Sequence, residues 1–141
     1  MIVVDTNVLS EPLRPRPDTA VVDWLDQQHA ETLFITALSV AELRLGVALL
    51  PPGRRRDRLV AALDTVVFPR FAGRVLVFDE AAAEVWAELQ ARCRGKGRCI
   101  PVIDSLIAAI CSARGFIFAT RNIRDFEGLG IKLINPWSDA G

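Results

Sequence analysis

The chain has 141 residues, the length of one domain with a core large enough to fold unaided, and we expect a single domain over residues 1–141. Hydrophobic residues make up 51% of the sequence, and this proportion excludes global disorder. Basic and acidic residues number 17 each, so no overall charge marks the chain as a binder of nucleic acid or of membranes. Any such function must come from local patches.

The sequence also argues against a membrane-spanning or secreted protein. Its longest uncharged stretches, residues 32–41 and 105–113, are about half the roughly 18 residues needed to cross a bilayer. Asp5 stands where a signal peptide would have a basic region and a long apolar run, so we expect a cytoplasmic location and no membrane partner. The three cysteines form neither an even set nor a zinc-binding spacing, which predicts free thiols.

Short apolar runs alternate with helical patterns along the chain. The runs at residues 2–4, 33–35, 75–78, 116–119 and 132–134 predict five buried strands. Helices are predicted after the N-cap Asp18, from the N-cap Thr36 to residue 49, over residues 54–67 and 80–94, and from Pro101 to Gly115. Such an alternation is typical of a parallel sheet covered on both faces. The fold class is therefore predicted as α/β, with three layers, α/β/α, around a central, mainly parallel sheet of about five strands.

Four acids stand in apolar surroundings, unlike the many acids on polar helix faces. Asp5 ends the first strand, where open α/β sheets place their ligands, and Asp125 follows the fourth. Glu42 and Asp104 lie on helix faces that also carry aliphatic residues, with Leu38, Leu45 and Leu49 beside Glu42. A carboxylate in such a place is unfavourable unless it is compensated, and Mg²⁺ or Mn²⁺, which prefer oxygen ligands, would compensate it.

Each of these acids also has an ordinary structural explanation. Asp5 could cap the following turn, and Glu42 could form a buried pair with an arginine. Asp104 could be the N-cap of a helix that starts later, and Asp125 could belong to an Asx turn. The four together favour a shared site, because two lie on apolar faces of different helices and two follow strands, which is how a site at the carboxyl edge of a sheet is assembled.

Five short segments, spread in order over residues 1 to about 137, carry a family resemblance. They are Val4-Asp5-Thr6-Asn7-Val8, Ser39-Val40-Ala41-Glu42-Leu43 with Gly46, Asp104-Ser105-Leu106-Ile107-Ala108-Ala109, Ala119-Thr120-Arg121-Asn122-Ile123-Arg124-Asp125-Phe126 and Ile134-Asn135-Pro136-Trp137. In this order and spacing they resemble the PIN-domain family, and specifically the VapC-type toxin ribonucleases of bacterial type II toxin–antitoxin systems.

The resemblance implies a PIN domain that acts as a magnesium-dependent endoribonuclease on RNA, with Mn²⁺ as a substitute for Mg²⁺. It also implies a homodimer that is inhibited by a cognate antitoxin protein. The catalytic, metal-holding acids would be Asp5, Glu42, Asp104 and Asp125. The fourth position stays open, because many relatives carry Asp where this chain has Asn122. Either Asn122 binds the metal through its amide oxygen or a water, or Asp125 supplies the charge.

Residues near the acids have expected supporting roles. The neutral hydrogen-bonding residues would orient the acids or contact a phosphate, with local turn capping as the alternative, and they are Thr6, Asn7, Ser105, Thr120 and Asn122. Arg94, Lys96 and Arg98 alternate with glycine in a basic loop that we expect not to pack, and they would contact the RNA backbone unless the loop is merely solvated. Trp24 and Trp86 are expected in the core or in dimer contacts.

Three other functions fit part of the pattern. A phospho-acceptor domain would also place an acid after the first strand, but the Asp5-Thr6-Asn7 segment lacks the second acid of haloacid-type phosphatases. A catalytically silent RNA-binding module could keep the fold and lose the metal, and Asn122 is the only hint of it. A DNA-directed nuclease would use the same acids.

Overall fold

At the centre of the structure, a computed structural model that describes residues 1–139, five strands form one sheet. The strand order is β3-β2-β1-β4-β5 and every neighbouring pair is parallel. The strands are β1 (Ile2–Val4), β2 (Leu33–Thr36), β3 (Val75–Leu76), β4 (Ile117–Ala119) and β5 (Leu133–Ile134). The predicted α/β class, with a parallel sheet of about five strands, is confirmed. The strand predicted over 75–78 is shorter because its partner β2 ends at Thr36, opposite Leu76.

Seven helices of the described residues connect and cover the strands. They are α1 (Thr6–Ser10), α2 (Thr19–Gln27), α3 (Ala37–Ala48), α4 (Arg54–Ala62), α5 (Glu80–Gly95), α6 (Val102–Arg114) and α7 (Ile123–Phe126). The predicted N-caps are confirmed, since Asp18 accepts from the Ala20 N–H and Thr36 from the Ser39 N–H. Gly115 ends α6 with φ 67°, a left-handed conformation that favours glycine. Within residues 1–139 no helix is long and apolar enough to cross a membrane.

The helix predicted over residues 54–67 is divided. Its regular part, α4, ends at Ala62, and a π-helical turn (Leu63–Val67) and a 3₁₀ turn (Phe68–Phe71) follow. Pro69, in the 3₁₀ turn, lacks the N–H that would bond to the Thr65 carbonyl in a regular helix, so α-helical hydrogen bonding cannot run through the end of this segment. Two short helices, α1 and α7, have no counterpart in the sequence patterns.

The helices form two layers, each with its own core. Helices α5 and α6 pack on one face of the sheet against Phe118, and α1 to α3 pack on the other face around Val4 and Ile35. Trp24 is buried in the second core, and Trp86 is half-buried against the first. All three cysteines are free, as predicted, with only Cys99 exposed.

The apolar face assigned to Glu42 is not a core face. Leu45 and Leu49 are 59% and 74% exposed, whereas Leu43 is buried. Helix α3 carries aliphatic residues on two faces, and its packing uses the face of Leu43. The sequence interpretation that placed Glu42 in a buried stripe with Leu45 and Leu49 is therefore wrong.

Candidate active site

The carboxyl edge of the sheet collects the four acids that the sequence singled out. Asp5 directly follows the central strand β1, and Glu42 lies in the second turn of α3, which begins where β2 ends. Helix α6 leads back to the start of β4 and therefore begins at this edge, with Asp104 in its first turn. Asp125 lies in α7, just after β4. Topology alone thus directs all four to one place.

Asp5 is buried, with 5% of its surface exposed, and both of its carboxylate oxygens are hydrogen-bonded. Oδ1 accepts from the Thr6 N–H at 2.8 Å, and Oδ2 accepts from the Thr120 hydroxyl at 3.0 Å. Burial raises the pKa of Asp5 to about 6; the charges of Asp104 and Glu42 add to the rise, and the bonds from Thr120 and Thr6 oppose it. Asp5 therefore both caps α1, as the structural explanation had it, and belongs to the acid cluster.

Glu42 is half-buried and is held by a hydroxyl group rather than by a cation. The Thr6 hydroxyl donates to Glu42 Oε1 at 2.7 Å. In the described part of the chain, ion pairs within 4.0 Å join Arg14 to Glu11 and Arg44 to Asp64, and neither involves Glu42. The alternative explanation of Glu42 as half of a buried arginine pair is wrong.

The pKa of Asp104 is also affected by the neighbouring acids. Its pKa is raised by burial and by the nearby charges of Glu42 and Asp125, and a hydrogen bond from the Asn122 side chain opposes the rise. Asp104 is the third residue of α6, whose N-cap position is Pro101, so the alternative of an N-cap Asp104 is wrong. Beside the effect of burial, Asp104 and Glu42 act on Asp5, and Glu42 and Asp125 act on Asp104, so the four acids form one electrostatically coupled cluster.

Asn122 and Asp125, which the sequence left as alternatives, are in direct contact. The Asn122 side-chain Nδ2 donates to Asp125 Oδ2 at 2.6 Å, and the Asn122 backbone N–H donates to Thr120 Oγ1 at 3.1 Å. The amide nitrogen of Asn122 therefore faces the acids. Asp125 is held by this bond in the short helix α7 and is more than an Asx-turn residue.

The side chains of two of the expected supporting residues, Ser105 and Asn7, make no hydrogen bond to the acids in the described part of the chain. Ser105 is buried, and its hydroxyl donates to the Val102 carbonyl at 2.6 Å and accepts from Trp86 Nε1 at 3.0 Å, so it holds the first turn of α6 and cannot reach a phosphate. Asn7 is exposed. Sequence reasoning missed Trp86, which fixes the turn that carries Asp104. The position of Trp86 among aliphatic residues on α5 indicated a packing role and nothing more.

The basic loop after α5 is only partly as expected. Arg94 and Lys96 are exposed. Arg98 is half-buried, and its guanidinium donates to three backbone carbonyls, those of Arg124, Asp125 and Glu127. The expectation that the loop does not pack is therefore wrong for Arg98, because five donors in a planar fork allow it to bind several carbonyls at once.

The donor set fits a hydrated divalent cation. Within residues 1–139 no three His, Cys, Asp or Glu side chains lie close enough to hold an ion unaided. Mg²⁺ commonly keeps several of its waters and is bound by one or two carboxylates rather than by a cage of protein ligands. A site that offers carboxylates in pairs therefore suits a hydrated Mg²⁺ ion. Burial, together with the charges of neighbouring acids, raises the pKa of Asp5 and Asp104, and a cation bound among these acids would relieve their mutual repulsion.

Comparison with known proteins then decides the family. A family model described as "PIN domain" matches residues 2–131. The chain belongs to the PIN-domain family. The parallel sheet is thus that of a PIN domain, and the resemblance proposed from the five sequence segments is confirmed.

Relatives of this PIN domain match it over nearly their whole length. It is 46% identical over 140 residues to "VapC ribonuclease Y4jK" of Sinorhizobium fredii, covering 99% of this chain and 100% of the relative. It is 42% identical over 139 residues to "Toxin FitB" of Neisseria gonorrhoeae, again covering 99% and 100%. The crystal structure of FitAcB from Neisseria gonorrhoeae matches it with a TM-score of 0.93 and 42% identity, covering 98% of this chain and 99% of that one.

Proposed function

We propose that this PIN domain is the toxin of a toxin–antitoxin pair and a Mg²⁺-dependent endoribonuclease that hydrolyses phosphodiester bonds in RNA. The observation that carries the proposal is the cluster of four coupled acids at the carboxyl edge of the sheet, which have no cationic partner within the described chain. The names of the relatives, a VapC ribonuclease and a toxin, supply the substrate class and the biological role.

Each acid has a defined part in this proposal. Asp5, Glu42, Asp104 and Asp125 would hold the cation, with Mn²⁺ as a substitute for Mg²⁺. When bound, the cation would lower the pKa of a water molecule and stabilise the charge that develops on the phosphate.

The chain's own hydroxyl and amide groups keep the acids in place. Thr120 holds Asp5, Thr6 holds Glu42, and Asn122 holds Asp125. These donors are neutral, so they orient the carboxylates without removing the charge that a cation requires.

A groove of about 1020 Å³ offers a place for the antitoxin. Its lining includes Glu42, so it reaches the acid cluster, and it extends between α3 and α4. Apolar side chains and a set of arginines share the lining; they are Leu13, Leu43, Val47, Leu50 and Leu59, with Arg14, Arg54, Arg55 and Arg58. We propose that an antitoxin segment with apolar and acidic side chains binds here and presents a basic side chain to the acids.

We also propose that the protein is a cytoplasmic homodimer. The family resemblance supplies the dimer, and large apolar side chains that a second copy would cover are exposed in the single chain, among them Val102 at 64% and Val77 at 57%. Analytical ultracentrifugation of the purified protein tests this, and a monomer at micromolar concentration would contradict it.

A cleavage assay tests the nuclease proposal. Purified protein is incubated with single-stranded RNA and with DNA of the same sequence, with Mg²⁺ and with EDTA. We expect RNA cleavage that requires Mg²⁺ and is lost in Asp5→Asn and Asp104→Asn, both of which keep a native circular dichroism spectrum. Asp23→Asn, a change at an exposed acid of α2, is the matched control.

The other outcomes each favour a different function. Near-native cleavage by Asp5→Asn would refute the metal site. RNA binding without cleavage would indicate the catalytically silent module, and equal or better cleavage of DNA would indicate the DNA-directed nuclease.

A further inference from the structure

We propose that Arg98 is a positioning residue that fixes the turn carrying Asp125, and through it one of the carboxylates of the acid cluster. The proposal rests on the proposed function in one respect, the binding of a divalent cation by the acid cluster. The contact that carries it is the guanidinium of Arg98 on the backbone of residues 124–127.

Helix α7 needs outside support, because four residues are far too few for an isolated helix to be stable. Its last carbonyls have no partners within the helix, and Asn122 at its N-cap position makes no capping side-chain bond. On one side Phe126 is buried and packs edge-on against Phe118, with ring centroids 5.5 Å apart. The Arg124 carbonyl accepts a long bond, 3.5 Å, from the Glu127 N–H, and in the described part of the chain the carbonyls of Asp125 and Glu127 have no backbone partner.

Arg98 satisfies them. Its Nη2 donates to the carbonyl oxygens of Arg124 at 2.9 Å and Asp125 at 2.8 Å, and its Nη1 donates to that of Glu127 at 2.6 Å. Three bonds from one planar group to three nearby carbonyls define the position of this backbone. A lysine ammonium keeps the charge but offers a single point of contact, so it cannot reproduce the arrangement.

Arg98 is itself held in place. Its backbone N–H donates to the Cys93 carbonyl at 2.7 Å, just after the α5 helix ends, and Ile100 two residues later is buried. Arg92, from the last turn of α5, donates to the Leu129 carbonyl at 3.2 Å and makes a second link to the segment after α7. The end of α5 and its loop thus anchor residues 124–129.

The position of this turn matters to the site because Asp125 acts on its neighbours. Its Oδ2 accepts the Asn122 amide at 2.6 Å, and its charge raises the pKa of Asp104. A turn released from Arg98 would let Asp125 move away from both partners. The Asp125 carboxylate would then no longer be in place to bind the cation that we propose for the cluster.

The experiment compares Arg98→Met and Arg98→Lys with the matched control Arg94→Met, which removes the same charge from an exposed position of the same region. Hydrogen exchange of the amides of residues 123–127 is followed by mass spectrometry in the metal-free protein. Mg²⁺ affinity is measured by calorimetry without RNA. We expect both Arg98 variants to exchange roughly tenfold faster in this segment and to bind Mg²⁺ roughly threefold to tenfold more weakly, from the loss of bonds made by a charged donor. Arg94→Met should change neither quantity.

Several results would overturn the proposal. Native exchange rates and native Mg²⁺ affinity in Arg98→Lys would show that only the charge matters, and equal effects of Arg94→Met would attribute them to the loop's charge. If Arg98→Met does not fold, Arg98→Lys decides alone. The exchange measurement needs neither metal nor RNA, so it stands or falls independently of whether Asp5→Asn abolishes RNA cleavage.

Discussion

Replacing Asp5 by Asn should stabilise the metal-free protein at neutral pH. The pKa of Asp5 is raised from 3.8 to about 6, chiefly by burial. Between these values the folded protein binds more protons than the unfolded chain, so the free energy of unfolding falls as the pH rises from about 4 to about 6. A shift of about two pKa units at roughly 1.36 kcal/mol each means that ionised Asp5 costs up to about 3 kcal/mol above pH 6.

An asparagine removes this charge and keeps much of the local bonding. Its side-chain oxygen can still accept from the Thr6 N–H, and Asn is as good an N-cap as Asp. The bond from the Thr120 hydroxyl must rearrange, which offsets part of the gain. We therefore expect Asp5→Asn to be more stable than the native protein by about 1–3 kcal/mol at pH 7.5, and by close to zero near pH 4.

Urea unfolding in EDTA, followed by tryptophan fluorescence, to which the buried Trp24 contributes, measures this difference near pH 4 and at pH 7.5. Asp104→Asn should show an effect of the same sign, since its pKa is also raised, and the exposed Asp23→Asn should show none. A native protein more stable than Asp5→Asn at pH 7.5, or a difference that does not change with pH, would refute the argument from burial and repulsion.

Three further outcomes are expected. Mg²⁺ binding should release protons near pH 6, where Asp5 is about half protonated, and almost none at pH 8. Calorimetry in buffers of different ionisation enthalpy measures the number of protons released, and proton uptake at pH 6 would contradict the prediction. Asp125→Asn should weaken Mg²⁺ binding more than Asn122→Ala, because only a carboxylate contributes charge, and the reverse order would make Asn122 the ligand. Thr6→Val should lower kcat/KM for RNA about fivefold by freeing Glu42, and unchanged kinetics would limit Thr6 to a structural role.

The sheet was predictable because its strands are written as continuous apolar runs. The ends of the strands were less so, since they depend on pairing. The run at residues 75–78 has apolar character to its end, but β2 turns into α3 at Thr36, and Val77 and Phe78 therefore have no strand beside them. The short helix α1 was missed for a different reason. It has five residues, too few to show a helical pattern, and it starts from the N-cap Asp5.

The acids differ in how well the local sequence pattern identified them. Asp5 was found from its place after a buried strand, and Asp104 from its aliphatic neighbours, several of which are buried. Glu42 was found for a reason that is wrong, since Leu45 and Leu49 are exposed. Its true signal is topological: α3 begins where β2 ends, next to β1, so its early turns lie beside Asp5.

The contacts that organise the site join residues far apart in the chain, and no sequence window contains them. Thr6 on α1 holds Glu42 on α3, Thr120 after β4 holds Asp5 after β1, and the Trp86 indole reaches Ser105 on α6. In the first two, the group that touches the carboxylate is a neutral donor. A cationic partner would have stabilised the acids more, but it would also have cancelled the charge that attracts a divalent ion. Hydroxyl groups orient the carboxylates and leave them uncompensated, as the proposed cation site requires and as a buried salt bridge would not.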